Sequence, residues 1–178
     1  MRHALKPHPD TPPDKVTAVD VELIVDPGDD VLMTFIVTGT AGLLVPARAS
    51  PARRDGLWET TCFELFLKPA GGDPYFEYNF SPSTEWAAYR FDRYREGMRP
   101  FRQPVDPFLD RIDGSGSILE VELGLSGLPN VAMRMGLCAV IEEQGGRISY
   151  WALAHPPGDP DFHDDACFAL ELAAAPHA

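Results

Sequence analysis

Residues Cys62 to Phe91 read CFELFLKPAGGDPYFEYNFSPSTEWAAYRF. Within this stretch Cys62–Lys68, Tyr75–Phe80 and Glu85–Phe91 each alternate apolar and polar residues with period two. Helices repeat near 3.6, so this pattern is that of half-buried strands. Gly71-Gly-Asp-Pro74 and Ser81–Thr84 separate the runs with residues that favour turns. Short turns between alternating runs predict a meander of three antiparallel strands.

The same grammar extends in both directions. Val19–Val25 and Val31–Thr38 flank Asp26-Pro-Gly-Asp-Asp30 and read as a hairpin. A loop rich in Gly, Pro and Arg follows at Gly39–Leu57. Beyond the meander, Asp92–Ile112 is irregular. Ile118–Leu125 is a strand, Met133–Glu142 and Arg147–Leu153 form a hairpin, and Cys167–Leu172 is a last strand after the Pro-rich loop Ala154–Asp165. No amphipathic helical period is present. The expected fold is all-β, an antiparallel β-sandwich of immunoglobulin or jelly-roll type with about eight to ten strands. Pro7, Pro9, Pro12 and Pro13 mark residues 1–14 as a flexible arm. Residues 15–173 are then one domain, and 174–178 a tail.

Composition bounds the function. The chain has 178 residues, 44% hydrophobic and 24% charged, as in ordinary globular domains. Gly and Pro together make about 19%, above the usual ~12%, which favours turns over long helices. The formal charge is −12, which argues against nucleic acid or anionic lipid as partners. The three cysteines, Cys62, Cys138 and Cys167, form no C-x-x-C pair and read as reduced, buried thiols. The first residues lack the apolar run of a signal peptide, and no stretch is long enough to span a bilayer. The expected location is the cytoplasm.

The meander also carries the candidate site. Phe63, Leu65 and Leu67 share one face with Phe76, Tyr78 and Phe80. The other face is expected to gather Glu64, Glu77, Asn79, Trp86 and Arg90. Charges on one sheet face are commonly solvated pairs, but Trp86 among them suggests recognition. Trp58 and Trp151 stand at junctions of loop and strand, and His155 follows Trp151 closely. Indole faces stack on sugar rings, while carboxylates, amides and guanidinium groups meet hydroxyls. Trp58, Glu64, Glu77, Asn79, Trp86, Arg90, Trp151 and His155 are the candidate ligand-binding residues.

The segment Asp55-Gly-Leu-Trp58-Glu-Thr-Thr-Cys62-Phe-Glu64-Leu-Phe-Leu-Lys-Pro69 resembles the W-E-x-x-x-x-E-x-F strand of family 9 carbohydrate-binding modules and the DOMON-like superfamily. Tyr75-Phe-Glu-Tyr-Asn79-Phe-Ser-Pro82 is similar to the partner strand, Y-x-E-x-N-x-x-P. With Tyr150-Trp-Ala-Leu-Ala-His155 and Asp161-Phe-His-Asp-Asp165, the pattern resembles a bacterial DOMON-like subgroup of stand-alone proteins. The resemblance spans about Val16 to Leu172. It implies a sandwich that binds sugar or haem. In sugar-binding members two tryptophans clamp a terminal sugar. Trp58 matches one clamp, Glu64 and Asn79 fall on the motif strands, and Trp151 is the candidate second clamp. Structural calcium is an open alternative, with Asp26, Asp29 and Asp30 as candidates; otherwise no cofactor is expected.

Three rivals stand beside a non-catalytic saccharide binder. Haem ranks below sugar, because Met33, Met133 and Met135 lie in strands and no C-x-x-C-H occurs. An enzyme could use Glu64 and Glu77 as acid and base on a sugar-like substrate. A protein-interaction module could use the arginines of Arg90–Arg102, although pairing with the chain's own carboxylates is the preferred reading. No particular protein partner is indicated.

Overall fold

The computed structural model describes residues 1–25, 30–102, 104, 106–112 and 117–174. Its strands, in chain order, are β1 (Arg2–Pro7), β2 (Ala18–Val25), β3 (Asp30–Thr38), β4 (Cys62–Pro69), β5 (Tyr75–Phe80), β6 (Trp86–Phe91), β7 (Arg99–Pro100), β8 (Phe108–Arg111), β9 (Ser117–Gly124), β10 (Met133–Glu143), β11 (Arg147–Ala152) and β12 (Leu170–Leu172). The fold is all-β, and every strand pairing is antiparallel. Helical structure among the described residues is confined to three short 3-10 turns. No helix there is long and apolar enough to cross a membrane.

The strands form one continuous sheet in the order β7-β6-β5-β4-β10-β11-β1-β2-β3-β9-β8, with β12 also paired to β10. The sheet curls so that its two halves pack face to face. Phe35 of β3 stacks on Phe63 of β4 at 4.4 Å, joining the two halves across one apolar core. That core takes Val19 and Val21 from β2, Met33 from β3, Leu65 from β4, Tyr78 from β5, Val121 from β9 and Leu137 from β10, all fully or almost fully buried. Alternation supplies it, since each strand turns every second side chain inward.

The curl corrects the expectation of two separate sandwich sheets, and β1 is the reason. Arg2 to Leu5 pair with β2, while Lys6 and Pro7 pair with Trp151 and Ala152 of β11. The N-terminal residues are therefore not a flexible arm. Beyond β1, Glu143 holds the chain down. Its buried carboxylate accepts hydrogen bonds from the backbone N–H groups of Asp14 (2.7 Å), Lys15 (2.6 Å) and Val16 (3.0 Å). Burial pushes that carboxyl up, but the three donors prevail and hold it below its ordinary value.

Other boundaries shift locally. β7 and β8 form within the stretch read as irregular, and the last strand begins at Leu170 because Asp165–Cys167 is a 3-10 turn. Asp26 and Asp29, two of the calcium candidates, lie outside the described residues. Among those described, no group of three or more His, Cys, Asp or Glu could hold a metal ion.

Candidate functional site

The outward face of β4, β5, β6, β10 and β11 is not open to solvent. A second apolar cluster lies on it, including Phe66, Tyr75, Tyr89, Phe91 and Val140. Three loops roof this face: residues 53–60, 92–98 and 154–168. Gly136 of β10 lets the last loop approach. A Cβ there would stand 2.9 Å from Phe168 Cδ1 and 3.1 Å from the Cys167 carbonyl oxygen. Cys62, Cys138 and Cys167 are buried free thiols. Burial pushes the first two well up and Cys167 to about 12, so none is a reactive thiolate at neutral pH.

Between the loops lies a cavity of about 510 Å3, lined among others by Trp58, Glu64, Glu77, Arg95, Tyr150 and His163. Its size is that of a small-molecule site. Trp58 rides on the 3-10 turn Leu57–Glu59, which Gly56 enters with φ of 78°. Leu57 is buried and anchors the turn, whereas Trp58 stays 40% exposed. The indole meets the Tyr89 ring edge-on at 6.0 Å. Tyr89 is itself tied to this loop, because its hydroxyl donates to Asp55 Oδ1 at 2.6 Å.

Two carboxyl groups form the floor. Glu64 of β4 pairs with Asn79 of β5, so Glu64 and Glu77 lie diagonally on one face. Both side chains are buried. They differ in what they meet. Glu77 Oε1 accepts from Asn79 Nδ2 at 2.7 Å. The Arg95 backbone N–H donates to the Tyr75 hydroxyl at 3.1 Å, and that hydroxyl lies 2.8 Å from His163 Nδ1. With the Tyr75 hydrogen on Nδ1, the neutral imidazole carries its own hydrogen on Nε2, which is 3.7 Å from Glu77 Oε2. Glu64 makes no hydrogen bond among the described residues.

Electrostatics follow from this asymmetry. Burial raises Glu77 to about 7, opposed by the Asn79 amide and Arg95. Burial first, and then the Glu77 charge, push Glu64 well above the carboxylate range. The pair therefore keeps at least one proton near neutrality, and Glu64, which lacks the lowering partners of Glu77, is the more readily protonated of the two. Burial and the Arg95 charge lower His163 to about 4, so the ring is neutral. Arg95 bonds Asp161 at 2.7 Å, and Asp161 also takes the Tyr94 hydroxyl at 2.5 Å. Arg93 pairs with Glu96 and Arg99 with Asp92, so these arginines of the 90–102 stretch meet the chain's own carboxylates.

Of the residues singled out in the sequence, Trp58, Glu64 and Glu77 line this cavity. Asn79 is fully buried behind Glu77 and orients it. Trp86 and Arg90 are not on this face. Phe80 pairs with Trp86 and Phe76 with Arg90, which sets both on the inward side of the sheet. Trp86 is buried in the main core; Arg90 lines a separate groove beside Phe76 and Phe101. Trp151 is also inward, 2% exposed, with its Nε1 donating to Ser149 Oγ at 2.9 Å. It cannot clamp a ligand. Tyr150, one residue earlier, points into the cavity instead. His155 stands outside the cavity lining, edge-on to His8 at 4.9 Å, with Nε2 2.8 Å from the Lys6 carbonyl oxygen.

Arg95, Tyr150, Phe162 and His163 were not singled out as ligand-binding residues. Tyr150 was legible only through strand parity, and the others sit on loops without a local pattern. No protein-family model matches the chain, and no curated protein does. Among solved structures, a "putative carbohydrate-binding protein" from Bacteroides uniformis is similar in fold, with a TM-score of 0.66 over 97% of this chain and 85% of that one. The two share 16% sequence identity, so the likeness is one of fold.

Proposed function

We propose that the chain is a non-catalytic binder of a small saccharide or sugar-like ligand, held in the cavity of about 510 Å3. The observation that carries this is a half-exposed indole, Trp58, at the mouth of a cavity with two buried carboxyl groups at its floor. The indole offers a face for sugar C–H groups, and Tyr150 adds aromatic surface in the same cavity. Protonated Glu64 can donate to and accept from a hydroxyl, and Glu77 accepts. The fold shared with the Bacteroides protein is consistent with this reading, as are the motif strands that resemble DOMON-like domains.

The test is thermal stability of the protein against a panel of mono- and oligosaccharides. A ligand of the native state raises the midpoint by mass action. The shift should vanish in Trp58→Ala. No shift with any sugar would remove the reading.

One observation favours a second reading, that of a glycoside hydrolase. The Asn79 hydrogen bond and the Arg95 charge at Glu77, with no counterpart at Glu64, favour Glu77 as the base and Glu64 as the acid. Turnover of aryl glycosides that is lost in Glu64→Gln would establish it over simple binding.

A further inference from the structure

The floor of the cavity has acceptor capacity that its own walls do not fill. Glu64 and Glu77 lie diagonally on adjacent strands, with side chains roughly 7 Å apart at their base. Their ionised forms would bring two negative charges into a buried site. The nearest fixed cation, Arg95, is committed to Asp161 at 2.7 Å. His163 stands 3.7 Å from Glu77, outside hydrogen-bond range, and its other nitrogen is taken by Tyr75. Glu77 receives one hydrogen bond from Asn79, and Glu64 receives none among the described residues. Most of the acceptor capacity of two carboxylates is therefore left for a ligand.

The occupant that matches this is a cation with several N–H donors and a body that fits an aromatic wall. A divalent metal does not match. Calcium takes six to eight oxygens, and no cluster of three or more candidate ligands exists among the described residues. An anionic sugar would meet the floor with like charge. An ammonium group has three donors, fits between two carboxylates, and gains from aromatic faces nearby.

Resting on the saccharide reading, we propose that the ligand carries a primary ammonium group that seats between Glu64 and Glu77 while its ring stacks on Trp58: an amino sugar or a compound of that class. A neutral sugar leaves one carboxyl protonated, whereas an ammonium lets both ionise and adds two charge-assisted hydrogen bonds. The overall charge of −12 also draws cations toward the molecule.

Calorimetric titration with glucosamine, glucose, N-acetylglucosamine and cyclohexylamine tests the proposal on the full chain. Glucosamine should bind about tenfold or more tightly than glucose or N-acetylglucosamine, which has the same ring but no charge. The Glu64→Gln, Glu77→Gln double variant keeps shape and should collapse that preference. Its fold is checked by circular dichroism and by the urea midpoint. Equal affinity for glucosamine and glucose would overturn the ammonium site and leave the saccharide reading intact. Cyclohexylamine binding as tightly as glucosamine, with no binding of glucose, would keep the ammonium site and remove the saccharide reading. No binding of either amine overturns the proposal, whatever the neutral sugars do.

Discussion

The substitution Glu77→Gln should stabilise the empty protein, and the gain should depend on pH. In the folded chain burial raises the Glu77 carboxyl to about 7, from an ordinary value of 4.5. The folded state thus holds a proton that the unfolded state has released over that interval. Stability falls as pH rises from 4.5 toward 7, and the loss is complete above it. At ~1.4 kcal/mol for each tenfold in proton affinity, the loss is about 3 kcal/mol. Glutamine has no proton to lose and still offers an oxygen to Asn79 Nδ2. Removing the Glu77 charge also relieves Glu64, whose carboxyl is raised in part by it, so the two effects have the same sign. At about pH 8 the variant should therefore exceed the parent by about 3 kcal/mol, a rise in Tm of roughly 6–12 °C for a domain of this size. At about pH 4 the two should coincide. Urea denaturation at both pH values, with Tm measured alongside, reads the difference directly. A parent that is the more stable at about pH 8, or a gap that does not change with pH, would refute the buried-acid account of the cavity floor.

Other substitutions separate the site from the scaffold. Trp58→Ala should cost about 1 kcal/mol or less in stability, since the indole is 40% exposed, yet remove any saccharide-dependent shift in Tm. Trp151→Ala should cost about 3–5 kcal/mol by emptying a core position; an unchanged urea midpoint would refute the core placement of Trp151. Glu143→Ala should cost about 3 kcal/mol at neutral pH, as it strips three backbone donors of a charged acceptor. That contribution is present above the ordinary carboxylate value and fades as pH falls through the lower folded one, so the cost should shrink in acid. Gly136→Ala should cost about 1–3 kcal/mol by driving a methyl group into Phe168; a midpoint equal to the parent's would show that the roof loop yields freely.

The meander was legible because its alternation is uninterrupted. Cys62–Lys68 and Tyr75–Phe80 became β4 and β5 almost to the residue, and Glu64 and Glu77 followed onto one face. What alternation does not carry is phase across a turn. The turn at Ser81–Glu85 sets Phe80 against Trp86, and a slip of one residue would have sent every side chain of β6 to the other face. The same parity separates Tyr150 from Trp151. Arg2–Pro7 escaped because Pro7 at its end and Pro9, Pro12 and Pro13 beyond it masked a short strand, one of whose partners, β11, comes from a distant part of the chain. The loop residues Arg95 and His163 reach the site through tertiary contacts to Tyr75, which no local pattern encodes.

The place of β1 in the sheet has a consequence for how the chain folds. Lys6 pairs with Ala152, so β1 waits for a strand that lies far along the chain. Closing so long a loop is slow, because its entropy is lost before the contacts form. Until it closes, both β1 and β11 present unpaired edges, and the two halves of the sheet are open to strand exchange with another copy. Refolding at rising protein concentration should accordingly lose yield to swapped or aggregated species before any other part of the fold limits it.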